Sequence, residues 1–332
     1  MTSTLTSTLL LTILYFLVVR FVDMNEKEPL WAMLMQFALG AVGGALVATA
    51  VGQTTLGLHV WLGAASKELV KFLAIGAGVG VLVLYGQRRG WEEFNGTMDG
   101  IVYGTCAGLG FGVGEQLVSE LSFANVSLPG IAAPVAAGFG KLALSKLSDG
   151  VIGAIIGAGF GAASEAKAPI SRGALPVLAM LGAIVAEGSY VVLRSGDSLG
   201  DLGALRANVA LFLPLLGLAV IAAYALASER RAIRTFLDDE VQTGSVSAED
   251  LLLLKSVFAR QAAYAKLFFG FQLGRLLSSR ALHNTQVQLA FAKSRLADEA
   301  EPSRRARTET EVAKIRAALV ERRSALGPGG KS

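Results

Sequence analysis

Long apolar runs alternate with short polar connections over the first two thirds of the chain. A bilayer core about 30 Å thick needs about 20 apolar residues per crossing helix. Seven runs meet that length, near residues 4–22, 30–51, 57–85, 98–121, 131–164, 174–193 and 205–227. The third and fifth are long enough to tilt strongly or to be broken. The first, "MTSTLTSTLLLTILYFLVV", has no basic leading region and no small-residue cleavage site, so it reads as a span that is kept. From residue 229 the pattern changes to a mixed, helical periodicity. "SERRAIRTFLDDEVQTG" is amphipathic and stops at a glycine, and "SAEDLLLLKSVFARQAAYAKLFF" opens on Ser247 and Asp250, spaced like a capping box. Two further helical runs, 271–299 and 303–326, are separated by Pro302, and "GPGGKS" forms a flexible end. The predicted fold is all-α: a polytopic membrane bundle of about seven spans over 1–228, then a small cytoplasmic helical domain over 229–332.

Composition agrees with the pattern. The chain is 53% hydrophobic and only 17% charged, which places it in the membrane class. Charge then sets orientation. Lys and Arg crowd the chain from Arg230 onward. Arg20 with Lys27, Arg88 with Arg89, and Lys167 with Arg172 mark alternate loops, whereas "GQTTLG" and "ELSFANVSLPG" carry no basic residue. The positive-inside rule puts the N-terminus outside and the C-terminus in the cytoplasm. No nucleic-acid-binding pattern accompanies the basic tail. The single cysteine, Cys106, rules out an intrachain disulfide framework.

Glycine is ordered along two spans. Gly100, Gly104, Gly108 and Gly112 recur every four residues, as do Gly153, Gly157 and Gly161. This spacing predicts close helix–helix approach in lipid. "GLGFGVGE" is not a dinucleotide loop, because its spacing is not GxGxxG and no strand precedes it.

Ionisable residues interrupt four spans. "AASKELVKFL" places Lys67, Glu68 and Lys71 within one turn of helix; Glu115 lies in the fourth span, Lys141, Lys146 and Asp149 in the fifth, and Glu187 in the sixth. Each charge at membrane depth costs at least about 2.5–3.5 kcal/mol on insertion scales, and such residues face the protein interior, find partners or line a cavity. Four acids on four helices with several lysines predict one shared polar pocket. Such a pocket either fixes helix register as a buried ion-pair network or handles a ligand, an ion or a reaction.

The same stretches resemble the PrsW family of intramembrane proteases. "DMNEKEPLWAMLMQFALGA" is similar to that family's acidic-then-EP approach to the second span, "SKELVKFL" stands where the family has EExxK, and "DGIVYGTCAGLGFGVGEQLV" matches its FxxxE segment with Phe111 and Glu115 in register. "GSVSAEDLLLLKSVFARQ" is similar to the helical tail of bacterial members. The resemblance implies a bacterial plasma-membrane endopeptidase that cuts a membrane-spanning or membrane-anchored protein, with Glu68, Lys71 and Glu115 as catalytic residues, a lipid bilayer as surroundings and no nucleic-acid partner.

The departures from the family pattern are specific. Lys67 replaces the first glutamate of EExxK, and Gln116 stands where Asn usually follows FxxxE. In the fifth span Lys141 takes the basic position and Asp149 the histidine position, and Glu187 takes a second histidine position in the sixth. Lys67, Lys141, Asp149 and Glu187 are thus candidate pocket residues that replace family ones. The two histidines, His59 and His283, match no motif. In the family reading the replaced histidines bind a metal or stabilise an oxyanion. Zinc prefers His and Cys ligands and is disfavoured here; an oxygen-only set suits Mg²⁺, Mn²⁺ or Ca²⁺. Three readings stay open: a protease working through Glu68 and Glu115, an inactive relative that binds membrane segments or partners, and an acid-lined ion or proton path.

Overall fold

The computed structural model describes residues 2–22, 28–51, 59–89, 93–124, 135–194, 201–299 and 301–325. The described residues are helical, with no strand among them. Seven long helices come first: α1 (Thr2–Val22), α2 (Leu30–Val51), α3 (Val60–Arg89), α4 (Thr97–Ala124), α5 (Val135–Glu165), α6 (Pro169–Arg194) and α7 (Asp201–Phe236). Shorter ones follow: α8 (Asp238–Gln242), α9 (Ala248–Lys255), α10 (Val257–Phe269), α11 (Leu273–Asp298) and α12 (Pro302–Ala325). The chain divides into two compact units, one reaching to Ala223 and the other formed mainly by Tyr224–Ser332.

Among the described residues, five helical stretches are long and apolar enough to cross a membrane: Leu30–Ala50, Val60–Arg88, Leu147–Glu165, Pro169–Leu193 and Val209–Gln242. The other two expected spans do not reach that standard. The apolar part of α1 is shorter, Ser7–Phe21, and α4 is diluted by glycine and carries Asp99 and Glu115. The start of the expected fifth span, 131–134, lies outside the described residues. From Val135 onward α5 runs unbroken through "SKLSDG".

In the first unit α4 is the packing centre, lying against α2 on one side and α5 on the other. Glycine makes both contacts. A Cβ on Gly104 would overlap the Gly153 carbonyl and lie 2.8 Å from Gly157 Cα. A Cβ on Gly44 of α2 would overlap the backbone of Phe111. The expected small-residue stripes are therefore backbone-to-backbone seams, which bring neighbouring side chains of α4 and α5 into register. Ile75, Ala107, Ile152, Ile156 and Ala183, from α3 to α6, close a core around these seams, with Phe72 stacked near Phe160 at 5.0 Å between ring centres. Large apolar side chains elsewhere on the helices, such as Leu10, Leu46, Leu84 and Leu213, stay exposed, as expected of surfaces that meet lipid rather than water.

The second unit has its own core. Ile233, Leu237, Leu254, Leu289, Ile315 and Leu319 are among its buried residues. Ser247 caps α9 by accepting from the Asp250 backbone N–H at 3.0 Å, as the capping pattern predicts. The single helix expected over 247–269 is instead two. Ser256 is extended and caps α10 by accepting from the Ala259 N–H, a local side-chain bond that competes with continuing the helix. The last two runs match their expected extents within a few residues.

Candidate active site

Helix geometry assembles the ionisable residues of the first unit. Residues three and four apart share a helix face, so Lys67, Glu68 and Lys71 project from one side of α3, and Phe111 and Glu115 from one side of α4. The two faces pair in opposite order. Lys67 Nζ lies 2.8 Å from Glu115 Oε1, and Lys71 Nζ lies 4.8 Å from the Phe111 ring centre. The earlier lysine takes the later α4 residue and the later lysine the earlier one, which is the pattern of helices running antiparallel.

Lys71 is the centre of the cluster. Its Nζ donates to Glu68 Oε1 at 2.8 Å and lies 3.6 Å from Asp149 Oδ1 of α5. The Lys71 and Glu68 side chains have no solvent exposure. Glu187 of α6 is buried as well and interacts with Lys71, Asp149, Lys67 and Glu115. Glu68 Oε2 and Glu187 Oε2 are buried and have no hydrogen-bond partner among the described residues. The ion pair between Lys67 and Glu115 is less buried, with side-chain exposures of 31% and 23%. The site thus has a fully buried layer around Lys71 and a less buried layer around Lys67.

Of the residues singled out from the sequence, Lys67, Glu68, Lys71, Glu115, Asp149 and Glu187 come together. Lys141 and Lys146 lie on α5, but their side chains fall outside the described residues. His59 is at the exposed start of α3. His283 belongs to the second unit, where its Nδ1 meets the Tyr264 hydroxyl at 2.8 Å in a buried contact.

A second buried polar group escaped the sequence reading. The Tyr103 hydroxyl of α4 donates to Glu28 Oε2, and Arg20 donates to the Glu28 carbonyl at 3.0 Å. The Gln36 amide donates to the Ile75 carbonyl at 3.4 Å, tying α2 to α3. A tyrosine within the glycine-rich fourth span, with an acid just ahead of the second apolar run, is the signal that could have pointed to the first of these.

The donor set does not suit the metal that the family resemblance implies. The cluster offers carboxylate oxygens alone, with no imidazole or thiolate among the contacts above. Two of its acids, Glu68 and Asp149, already face an ammonium, and Glu115 faces another. A divalent ion bound between them would sit beside Lys71 Nζ, in Coulombic conflict with a fixed positive charge. Among the described residues no group of three or more His, Cys, Asp and Glu side chains is arranged to hold a metal ion.

No curated protein and no solved structure matches the chain. Residues 28–220, more than half of its length and the whole of the cluster, match the family model of the PrsW family intramembrane metalloproteases, and the chain is an integral membrane protein with several spans that belongs to that family.

Proposed function

We propose that the chain is an intramembrane endopeptidase that hydrolyses a peptide bond in a membrane-spanning or membrane-anchored protein with carboxylates and lysines in place of a metal. The observation that carries this reading is the buried Lys71, bonded to Glu68 and close to Asp149, with free oxygens on Glu68 and Glu187 beside it. Glu68 Oε2, with no hydrogen-bond partner among the described residues, is an acceptor available for proton transfer.

In this mechanism Glu68 Oε2 takes a proton from a water whose oxygen attacks the scissile carbonyl carbon. The carbonyl π bond opens and its electrons go to oxygen. Lys71, or Lys67 on the outer side, stabilises that oxyanion electrostatically. Collapse breaks the C–N bond as the oxyanion re-forms the carbonyl, and the proton taken up by Glu68 moves to the leaving nitrogen, directly or by way of Glu115. One water is consumed and one acid and one amine are released.

The same reading assigns residues 1–228 to the membrane and 229–332 to the cytoplasm, with the N-terminus outside. It counts seven crossings, including α1 and α4. The position of α4 between α2 and α5, each bearing a candidate span, supports this, since a helix packed between two spans sits at membrane depth. A second reading, an inactive relative that holds membrane segments or partners, is favoured by one observation: Lys67 occupies Glu115. The test is to reconstitute the purified chain in vesicles with a detergent extract of host membrane proteins and follow new N-termini with time. The protease reading expects products that fail to form with Glu68→Gln. Identical products, or none, with both proteins would support the second reading.

A further inference from the structure

The turn between α10 and α11 exposes an unusual run of large apolar side chains. Phe268, Phe269, Phe271 and Leu273 are 55%, 76%, 91% and 54% exposed. The turn is well formed: Gly270 N–H donates to the Lys266 carbonyl and Gln272 N–H to the Leu267 carbonyl, closing the end of α10. Phe271 has φ +54°, a left-handed conformation in which L side chains are uncommon. Glycine would adopt it without strain, yet an aromatic stands there, pointing into open surroundings.

The apolar surface continues beyond the turn. Phe258 and Phe269 are eleven residues apart, close to three full turns, so they lie on one face of α10. Phe258 is 85% exposed, and Ala262 and Ala265 on that face are exposed too. Leu277 follows Leu273 by four residues on α11 and is 65% exposed. The opposite side of α10 is buried through Arg260 and Tyr264.

Charge around this surface has one sign. No Asp or Glu occurs from Leu251 to Ala297, while Lys266, Arg275 and Arg280 flank the turn and are exposed. Aromatic side chains at a tip with a basic collar and no acids fit the headgroup region of an anionic bilayer, where rings enter the acyl boundary and cations meet lipid phosphates. The candidate span Val209–Gln242, which begins in α7, leads into this unit. The tip is thereby tethered to a membrane and meets it at high effective concentration.

We infer that the α10–α11 turn is a membrane-docking tip that inserts Phe268, Phe269 and Phe271 into the interface of an anionic phospholipid bilayer. Docking would fix the second unit against the bilayer surface.

The test uses the full-length protein in vesicles. Cys106 is replaced by Ala, and a single new cysteine at Gln272 or, as reference, at Ala306 on α12 carries an environment-sensitive fluorophore. Vesicles are phosphatidylcholine alone or phosphatidylcholine with phosphatidylglycerol, each with and without a lipid bearing a nitroxide near the headgroup. With phosphatidylglycerol present, the label at 272 is expected to shift to the blue and to be quenched several-fold more than the label at 306. High salt and the combined change Phe268→Ser, Phe269→Ser and Phe271→Ser should each reduce that quenching. Equal, water-like behaviour of the two labels in both vesicle types would overturn the inference. So would proximity of two 272 labels in different copies without lipid quenching, which would make the tip a protein–protein contact.

Discussion

Lys71 Nζ lies 2.8 Å from Glu68 Oε1 across one turn of α3, and neither side chain has any exposure to solvent. A buried pair of this kind is costly to form from two hydrated ions and more costly to break once formed. Its presence inside an apolar bundle answers why charged residues interrupt the third apolar run: they face Asp149, Phe111 and each other rather than lipid.

Removing Lys71 strands Glu68 and Asp149. Lys71→Ala is expected to destabilise the first unit by about 3–5 kcal/mol, the usual cost of leaving a buried charge without its partner. Combining it with Glu68→Gln should recover part of that loss. Thermal unfolding in detergent, with wild type and both variants side by side, measures both.

Glu115 gives a cleaner probe of chemistry. Its pair with Lys67 is less buried than the Lys71 pair, so Glu115→Gln should cost less than the about 3–5 kcal/mol of Lys71→Ala. Under the protease reading it nonetheless lowers product formation strongly. A variant that folds as well as wild type and cuts as fast would remove Glu115 from the mechanism.

The glycine seam predicts a position-dependent result. Gly104→Leu forces α4 and α5 apart, because even a Cβ there overlaps the Gly153 carbonyl. It should cost about 1–3 kcal/mol or more and disturb Asp149, which lies one turn before Gly153. Gly80→Ala meets nothing within 4 Å and should be neutral to slightly stabilising. Melting temperatures of the two variants distinguish the seam from glycine content as such.

Metal should be dispensable. The Lys71 ammonium held among the carboxylates predicts far less than one bound divalent ion per chain by elemental mass spectrometry after purification without chelator. Product formation should be unchanged by a chelator, and Lys71→Ala should be the variant that gains divalent-ion binding, since it removes the competing ammonium. A stoichiometric metal in the wild-type protein would contradict this.

Much of this architecture is readable from local pattern. Apolar run length locates α2, α3 and α6 to within a few residues, and Ser247 and Pro302 mark helix starts that the structure uses. The paired spacings Lys67/Lys71 and Phe111/Glu115 also stand in the sequence, but their reciprocal pairing depends on two helices crossing antiparallel, which no single run encodes. The break at Ser256 is invisible to hydrophobic periodicity, because apolar residues continue through it; a hydroxyl cap decides it. Glu28 and Tyr103 meet across 75 residues of chain, a contact that arises only when α4 has been drawn in by its glycines. The stretch α4 falls short of the apolar length test in part because the glycines that bury it also lower its hydropathy.

The proposed protease works through Glu68 and Glu115. The most direct measurement is N-terminal peptide mapping of native-host membranes from cells with wild-type protein and with the Glu68→Gln/Glu115→Gln double variant at matched levels. The account predicts at least one membrane-protein fragment that is present with wild type and missing with the variant. Identical fragment maps under several growth conditions would contradict it.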